Sequence, residues 1–126
     1  MLSACPCGAG PSLPMCCGRY VDAGQAPPTA EALMRSRYSA YALGRTMYLH
    51  TSWHPSTRPS SIELDVKTKW LGLTILSHEQ QGDTHATVEF IARFRERGAT
   101  RKLHELSRFE KLRGKWLYVD GDLEGG

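Results

Sequence analysis

The four cysteines of the chain restrict its folding more than any other feature, because all of them lie between residues 5 and 17. They form one C-x-C pair and one adjacent C-C pair, with eight residues between the pairs: Cys5, Cys7, Cys16 and Cys17. Thiolates bind zinc at about 2.3 Å in a tetrahedron, so the chain between the pairs must turn back sharply. That stretch contains residues that suit a reversal: Gly8, Gly10, Pro11 and Pro14. The spacing therefore predicts one structural zinc ion, with no ligand position left for water.

Two other arrangements of these cysteines remain open. Cys5 and Cys7 could each form a disulfide with one member of the pair Cys16 and Cys17, since a bond within that adjacent pair would be strained. Disulfides need an oxidising compartment, however, and residues 1–4 show neither the positive region nor the apolar region of a signal peptide. We therefore expect a cytoplasmic protein with metal-bound thiolates. An iron–sulfur centre is the third arrangement, and the adjacent last pair fits a mononuclear site better.

The segment CPCGAGPSLPMCC, residues 5–17, resembles the SEC-C motif, C-x-C-x8-C-[C/H]. This motif binds zinc at the C-terminal tail of the translocation ATPase SecA and in many otherwise unrelated bacterial proteins. The four cysteines fall on its four ligand positions, the last of which is His in SecA. In SecA the loop between the ligand pairs is lysine-rich and takes part in binding a chaperone, whereas residues 11–15 here carry no charge. The resemblance thus implies zinc binding, and the uncharged loop argues against a SecB-type partner.

The length and charge of the chain set further limits. A chain of 126 residues is long enough for one compact domain with its own core. No apolar run approaches the roughly 18 residues of a membrane span, so none is expected. Residues 91–116 carry nine Lys or Arg and three Glu, a net charge of +6, whereas the rest of the chain has a net charge of −3. This segment could bind an anionic partner, or it could be the solvated outer face of a sheet, which we favour because outer and edge positions suit Lys and Arg.

The chain divides into three parts on sequence grounds. Residues 1–20 contain the cysteines and are predicted to form a zinc knuckle. Residues 21–28 are predicted to be a linker, because two glycines and two consecutive prolines argue against regular structure over residues 18–28. Residues 29–126 are predicted to form the main domain. On this division, loss of zinc should unfold the knuckle and leave the main domain folded.

The main domain begins with helical patterns. Thr29 is a suitable N-cap and Gly44 a suitable stop, and apolar residues recur between them at helical spacing, so a helix is predicted over 29–43. The polar residues on its other faces are Arg35, Ser36 and Ser39. A second, shorter helix is predicted over 45–53, where two prolines soon follow. Residues 62–70 have an ambiguous pattern, which we interpret as a short helix.

After Trp70 the pattern changes to the period of two that is typical of strands. The predicted strands are one that follows Trp70, then 84–97, 99–112 and 115–120. The turns between them are predicted at Gln81-Gly82-Asp83, Gly98 and Arg113-Gly114. A two-residue turn at the last of these would pair Phe109 with Tyr118 and Ser107 with Asp120. Residues 121–126 are short and acidic, and we expect them to be frayed.

Helices followed by consecutive hairpins indicate an α+β fold in which the helices pack on one face of an antiparallel sheet. Segments in order along the chain resemble the bacterial YchJ family: AEALMRSRYSAY (30–41), WHPS (53–56), VEF (88–90), HELSRF (104–109) and WLYVDG (116–121). Members carry an N-terminal SEC-C motif and a domain similar to nuclear transport factor two, a cone of helices and a curved sheet. The resemblance implies this cone, which periodicity leaves open. It implies little about function, since the fold hosts enzymes, scaffolds and transport adaptors alike.

A cone of this kind can enclose a pocket, and the sequence offers residues to line it. The candidates lie at the end of the second helix and on the last two strands: Trp53, His54, His104, Ser107, Arg108, Tyr118 and Asp120. A His–Asp pair could supply a general base with an orienting carboxylate, although each residue also has an ordinary structural interpretation. Arg35 and Arg37 could line the mouth of the pocket or pair with an acid such as Glu31. The sequence contains no glycine-rich phosphate loop, G-x-S-x-G or H-E-x-x-H pattern, so no reaction is predicted.

Three functions remain open on the sequence. The favoured hypothesis is a protein-interaction module that presents the zinc knuckle to a partner, because the SEC-C motif is present and no catalytic motif is. The second is a small-molecule-binding protein or enzyme with a pocket of a few hundred Å³ in the cone. The third is nucleic-acid binding by residues 91–116, which would require exposed aromatic residues among the basic ones. Alternation instead places Phe90, Phe94 and Phe109 inside.

Overall fold

Three helices precede a four-stranded antiparallel sheet in the computed structural model, which describes residues 4–10, 12–65 and 67–124. The helices are α1 (Gly18–Val21), α2 (Ala30–Leu43) and α3 (Thr46–Thr51). The strands are β1 (Lys69–Gln81), β2 (His85–Glu96), β3 (Ala99–Leu112) and β4 (Lys115–Leu123), and they lie side by side in that order. The predicted α+β class and antiparallel sheet are confirmed. No helix within the described ranges is long and apolar enough to cross a membrane.

The ends of α2 are fixed by the residues that the sequence marks. The Thr29 hydroxyl accepts a hydrogen bond from the Ala32 N–H at 3.0 Å, and Gly44 ends the helix in the left-handed conformation. Ser36 and Ser39, which the sequence places on other faces of the helix than its apolar residues, are both fully buried. The sheet covers the apolar residues of α2, while α3 and the cysteine segment cover these two serines.

The segment before β1 and the end of β4 differ from the prediction. The short helix predicted over 62–70 is wrong for the described residues, since 62–65 have no regular structure and Lys69 already begins β1. Val66 lies outside the described residues. The last strand continues to Leu123, because β3 supplies backbone partners beyond the predicted end, so the expected fraying is wrong for residues up to that point. Residues 125 and 126 of the predicted tail lie outside the described residues.

The pairing of β3 with β4 contains one irregularity that changes which residues meet. Phe109 pairs with Tyr118, as predicted from the two-residue turn. The register then shifts by one residue, because Val119 forms a bulge in β4. Ser107 therefore pairs with Gly121, and the predicted pairing of Ser107 with Asp120 is wrong.

The cysteine segment packs into the same hydrophobic cluster as α2 and the sheet. That cluster contains all four cysteines together with Ala30, Leu33, Met34, Tyr38, Ala86, Val88, Phe90, Ala92, Phe109 and Trp116. The stretch 18–28, expected to lack regular structure, opens with α1. The division into a knuckle at 1–20, a linker at 21–28 and a main domain stays a prediction.

Candidate functional site

The four cysteine sulfurs are close enough to hold one metal ion. All four residues are buried, and their sulfur atoms lie within 4.8 Å of one another. The Cys7 sulfur is 3.5 Å from that of Cys5 and 3.6 Å from that of Cys16. A tetrahedron with metal–sulfur bonds of about 2.3 Å has edges of about 3.8 Å, which these separations approach. The cysteines are not joined by disulfides, so the arrangement and the all-sulfur donor set fit a closed, four-coordinate site.

The thiols of this cluster differ in acidity because they hydrogen-bond one another. Hydrogen bonding from the Cys17 thiol lowers the pKa of Cys7 to about 5, although burial opposes this shift. The corresponding interaction with Cys7, together with burial, raises the pKa of Cys17. Burial is also the main cause that raises the pKa of Cys16 to about 11. A metal ion would replace the protons of these thiols, since thiolates are its ligands.

The loop between the cysteine pairs is shaped for close packing on one side and exposure on the other. A β-carbon at Gly10 would overlap the Cys16 side chain, so only glycine fits there. Leu13 packs against the hydrophobic cluster. Met15 points the other way, and 67% of its surface is exposed.

Polar contacts attach the cysteine segment to α2. The Ser39 hydroxyl oxygen lies 3.5 Å from the Cys5 sulfur. The Arg35 guanidinium donates to the Cys7 carbonyl at 3.3 Å and to the Glu31 carboxylate at 3.0 Å. Of the two interpretations offered for Arg35 by the sequence, pairing with Glu31 is the one observed.

A cavity of about 240 Å³ lies between α2, the segment that follows α3, and the inner face of the sheet. Its aromatic lining consists of Tyr38, Tyr41, Trp53, Trp70, Phe90 and Tyr118. The other lining residues are Met34, Ala92 and Leu103, which are apolar, and Arg37, Glu105 and Ser107, which are polar. A mainly apolar cavity with a few polar groups is typical of small-molecule sites.

Arg37 is the buried cation of this cavity, with only 3% of its surface exposed. Its Nη1 donates to the Leu49 carbonyl at 2.9 Å and to the Ser52 hydroxyl at 2.7 Å. Its guanidinium carbon lies 4.9 Å from the ring centroid of Trp53 and 4.6 Å from that of Tyr118, distances typical of cation–π contacts. Burial lowers the pKa of Arg37, but arginine remains charged in such surroundings.

Backbone pairing fixes the two rings that flank Arg37. The segment after α3 forms a parallel bridge with β4, in which the Tyr118 N–H donates to the Ser52 carbonyl at 2.9 Å and the His54 N–H donates to the Tyr118 carbonyl at 2.7 Å. The bridge holds the Trp53 and Tyr118 rings edge to face with centroids 5.1 Å apart. The indole N–H of Trp53 is buried and has no hydrogen-bond partner among the described residues.

Glu105 places a carboxylate in the same cavity. Its Oε2 accepts from the Ser107 hydroxyl at 2.5 Å and from the Tyr118 hydroxyl at 3.3 Å. A β-carbon at Gly121, on the neighbouring strand, would overlap this carboxylate, so the glycine makes room for it. Burial, and next the charge of Glu105, raise the pKa of Tyr118, which keeps its phenol protonated as a donor.

Three of the predicted pocket residues line the cavity, namely Trp53, Ser107 and Tyr118. The other four do not. His54 and His104 lie beside glutamates, at 3.7 Å from Glu110 and 2.7 Å from Glu89 respectively. Arg108 forms ion pairs with Asp120 at 2.6 Å and with Asp122 at 2.8 Å on an exposed part of the sheet. The predicted pairing of a histidine with Asp120 is therefore not observed.

Sequence reasoning missed Glu105 as a cavity residue and left Arg37 undecided. The sequence does contain a signal for Glu105. It is two residues from Ser107 and four from the buried Phe109 along β3, so alternation puts all three side chains on the same face of the strand. His104 and Arg108 have the opposite parity, which places them on the outer face. For Arg37 no such signal existed, since an arginine on a helix usually faces solvent.

The fold and the cysteine cluster together define a SEC-C motif protein with a domain similar to nuclear transport factor two. A family model described as YchJ, middle NTF2-like domain, matches residues 29–121. The chain belongs to the YchJ family, as the resemblance in its sequence implied.

Relatives and solved structures agree with this assignment. The chain is 54% identical over 125 residues to a UPF0225 protein of Cupriavidus metallidurans, covering 94% of this chain and 88% of that protein. A UPF0225 protein of Bordetella parapertussis is also 54% identical over 125 residues, covering 96% of this chain and 93% of that one. The solution structure of a SEC-C motif containing protein from Rhodopseudomonas palustris has a TM-score of 0.85 and 36% identity, covering 99% of this chain and 100% of that one. The crystal structure of such a protein from Psychrobacter arcticus has a TM-score of 0.76 and 30% identity, covering 97% and 83%.

Proposed function

We propose that this protein binds a small molecule in the cavity between α2 and the sheet. The observation that carries the proposal is Arg37, whose guanidinium group is buried beside the cavity of about 240 Å³. Burying a charge is costly unless its donors find partners. Among the described residues, both hydrogen bonds of Arg37 use Nη1, so a ligand could use its remaining N–H groups.

The walls of the cavity support the same proposal. The lining is mainly apolar and aromatic, as is usual for small-molecule sites. Here Trp53, Trp70 and Phe90 stand around the cavity without filling it. The polar groups of Arg37 and Glu105 converge on this space, as expected for a site that orients a ligand.

We also propose that the cysteine cluster holds one zinc ion with a structural role. Four sulfur ligands suit zinc and leave no coordination position for a substrate. Thiolates persist in a reducing compartment, which supports a cytoplasmic location. A native mass spectrum should show a mass excess of one zinc ion that a chelator removes. A mass four protons light, with no metal, would instead indicate two disulfides.

Binding of phenol, followed by ¹⁵N NMR, tests whether the cavity accepts a small aromatic molecule. The indole resonances of Trp53 and Trp70 should shift, while that of Trp116, outside the cavity, should not. Ala92→Leu fills the cavity from β2 and should abolish the shifts. Ala86→Leu adds the same bulk at a buried alanine of the same strand that does not line the cavity, and should preserve them. Absence of shifts in the wild type, or equal loss in both variants, would contradict the proposal.

A protein-interaction module is the second candidate function, and Met15 is the observation that favours it. This residue is 67% exposed in an uncharged loop held by the cysteine cluster, and exposed methionines are common at binding surfaces. A photo-cross-linking amino acid at position 15 should give one discrete adduct in cells. The same label at Met47, which is 76% exposed, is the control. Identical adduct patterns from the two positions would count against this candidate.

Nucleic-acid binding by residues 91–116 receives less support. Phe109 is buried, and Phe94 packs against Trp70 with ring centroids 5.3 Å apart, so neither offers a face to a base. The positive charge of Arg108 is paired with two aspartates.

A further inference from the structure

We infer that the ligand of the cavity is an uncharged, planar aromatic molecule that carries a hydrogen-bond acceptor and a hydrogen-bond donor, as an aromatic carboxamide or lactam does. This inference rests on the proposed function and specifies the ligand of the same site. It follows from the charges of the lining residues, from their free hydrogen-bonding atoms and from the shape of the cavity.

The charge of the cavity is already balanced. Arg37 contributes one positive charge and Glu105 one negative charge, and the two do not form a direct ion pair among the described residues. A carboxylate ligand that approached Arg37 would add a second negative charge near Glu105. An ammonium ligand would in the same way add a second positive charge near Arg37. Burying either unpaired charge is costly, so an uncharged ligand is favoured.

The free hydrogen-bonding atoms require one partner of each kind. The two hydrogen bonds of Arg37 among the described residues both use Nη1, so its Nε and Nη2 groups are donors without an acceptor there. The Oε2 atom of Glu105 already accepts two hydrogen bonds, from Ser107 and Tyr118, whereas its Oε1 atom accepts none among the described residues. A ligand carbonyl can accept from Arg37, and a ligand N–H can donate to Glu105. Leaving such groups unpaired when a ligand excludes water would weaken binding.

The walls favour an aromatic ring of modest size. Tyr38, Tyr41, Trp70 and Phe90 line the cavity, and aromatic rings attract one another edge to face or offset. The faces of Trp53 and Tyr118 are in contact with Arg37, so they do not form a free cage for a cation. If each non-hydrogen atom of a ligand takes up about the 30 Å³ of one water molecule, the cavity holds on the order of ten such atoms.

Three fragments of similar size and different charge test the inference: benzamide, benzoate and benzylamine. Each is titrated into ¹⁵N-labelled, zinc-loaded protein while the indole N–H signals are followed. Benzamide should bind at least about tenfold more tightly than the other two. Its ring should also shift the indole signals of Trp53 and Trp70, which line the cavity, with little change at Trp116. Tighter binding of benzoate or of benzylamine would overturn the inference.

Substitutions of Glu105 and Arg37 test the two assigned hydrogen bonds separately. Glu105→Gln removes the negative charge, so the preference for benzamide over benzoate should fall by about tenfold. His104→Gln, on the outer face of the same strand, is the matched control and should leave the preference unchanged. Arg37→Lys keeps the charge but removes the planar guanidinium donors and should weaken benzamide binding by about tenfold, whereas Arg35→Lys, outside the cavity, should leave it unchanged. If Arg37→Lys fails to fold, the Glu105 comparison alone decides.

The outcomes separate failure of the ligand class from failure of the cavity. If phenol and all three fragments leave the indole signals unchanged, no small molecule enters, and the proposed function fails. If phenol binds but benzamide has no advantage over the charged fragments, the cavity is a binding site and the inferred ligand class is wrong.

Discussion

The Ser39 hydroxyl oxygen lies 3.5 Å from the Cys5 sulfur, and this contact joins the cysteine cluster to the helix that carries Arg37. Arg35, on the same helix, donates to the carbonyl of Cys7. The cysteine cluster and the cavity are therefore both supported by α2. Loss of a metal ion from the cysteine cluster should therefore have a measurable effect along α2.

Removal of the metal should affect α2 as well as the cysteine segment. The cysteine segment covers the Ser39 side of α2 and shares one hydrophobic cluster with Leu33 and Tyr38, so its release exposes that side of the helix. Hydrogen exchange with and without a chelator should show faster exchange in residues 4–20 and also in α2, while β2 and β3 stay protected. Faster exchange confined to residues 4–20 would contradict this and would support the predicted independent knuckle.

Ser39→Ala should weaken metal binding. A hydroxyl near a ligating thiolate can donate to it, and partners of metal ligands typically contribute tenfold or more to affinity. We expect a loss of about tenfold, measured by competition with a chromophoric chelator. Ser36→Ala is the control, because that hydroxyl is equally buried but bonds to Leu33 and Tyr48. Equal affinities of the two variants would show that the Ser39 contact is only packing.

Arg37→Lys should destabilise the fold strongly although the charge is kept. The variant loses the planar contact with Trp53 and Tyr118 and part of the hydrogen bonding. The free energy of unfolding in urea should fall by about 2 to 4 kcal/mol. Arg35→Lys, in a partly exposed pair with Glu31, should change it by less than about 1 kcal/mol. Comparable losses for the two would argue that the position of Arg37 is not special.

Gly121→Ala should disturb the Glu105 carboxylate. The added methyl group overlaps that carboxylate, which must move and lose its bond to Ser107. Loss of that bond should lower stability by about 1 to 3 kcal/mol. Gly72→Ala meets Arg93 only at ordinary contact distance, so its effect should stay within about 1 kcal/mol. Equal unfolding midpoints of the two variants in denaturant would refute the close approach at Gly121.

Alkaline unfolding should depend on Tyr48. Burial raises the pKa of Tyr48 to about 12, from an ordinary value of 10.0, despite its bond to Ser36. The folded chain thus holds this proton more tightly than the unfolded chain, and the resulting stability is complete below about pH 10 and is lost towards about pH 12. In the Tyr48→Phe variant, the fall in the free energy of unfolding between about pH 10 and pH 12 should be smaller by on the order of 2 kcal/mol. Measuring the variant also at neutral pH separates this effect from the lost bond to Ser36.

Local signals in the sequence were sufficient for much of the fold. The cysteine spacing predicted a cluster, and the structure brings all four sulfurs together. The N-cap at Thr29 and the stop at Gly44 predicted α2 to within one residue, because capping depends on neighbouring residues alone. The hairpin turn at Arg113-Gly114 fixed the pairing of Phe109 with Tyr118 for the same reason.

The cavity depends on relationships that local signals do not contain. The bulge at Val119 shifted Ser107 from Asp120 to Gly121, and only the packed sheet shows where such a bulge lies. The burial of Arg37 depends on α3 and β4 closing around α2, which helical periodicity does not report. The chemistry of His104 and Arg108 favours a place in the pocket, whereas alternation along β3 assigns both to the outer face.

The bridge between Trp53 and Tyr118 determines how late in synthesis of the chain the cavity can form. Tyr118 lies on the last strand, so the ribosome must release nearly the whole chain before this bridge can close. Contacts between residues so far apart in the sequence also form slowly, because a long loop must be ordered first. A nascent chain that stops short of β4 therefore has α2 and its arginine but lacks the final wall of the cavity, and it cannot hold a ligand there.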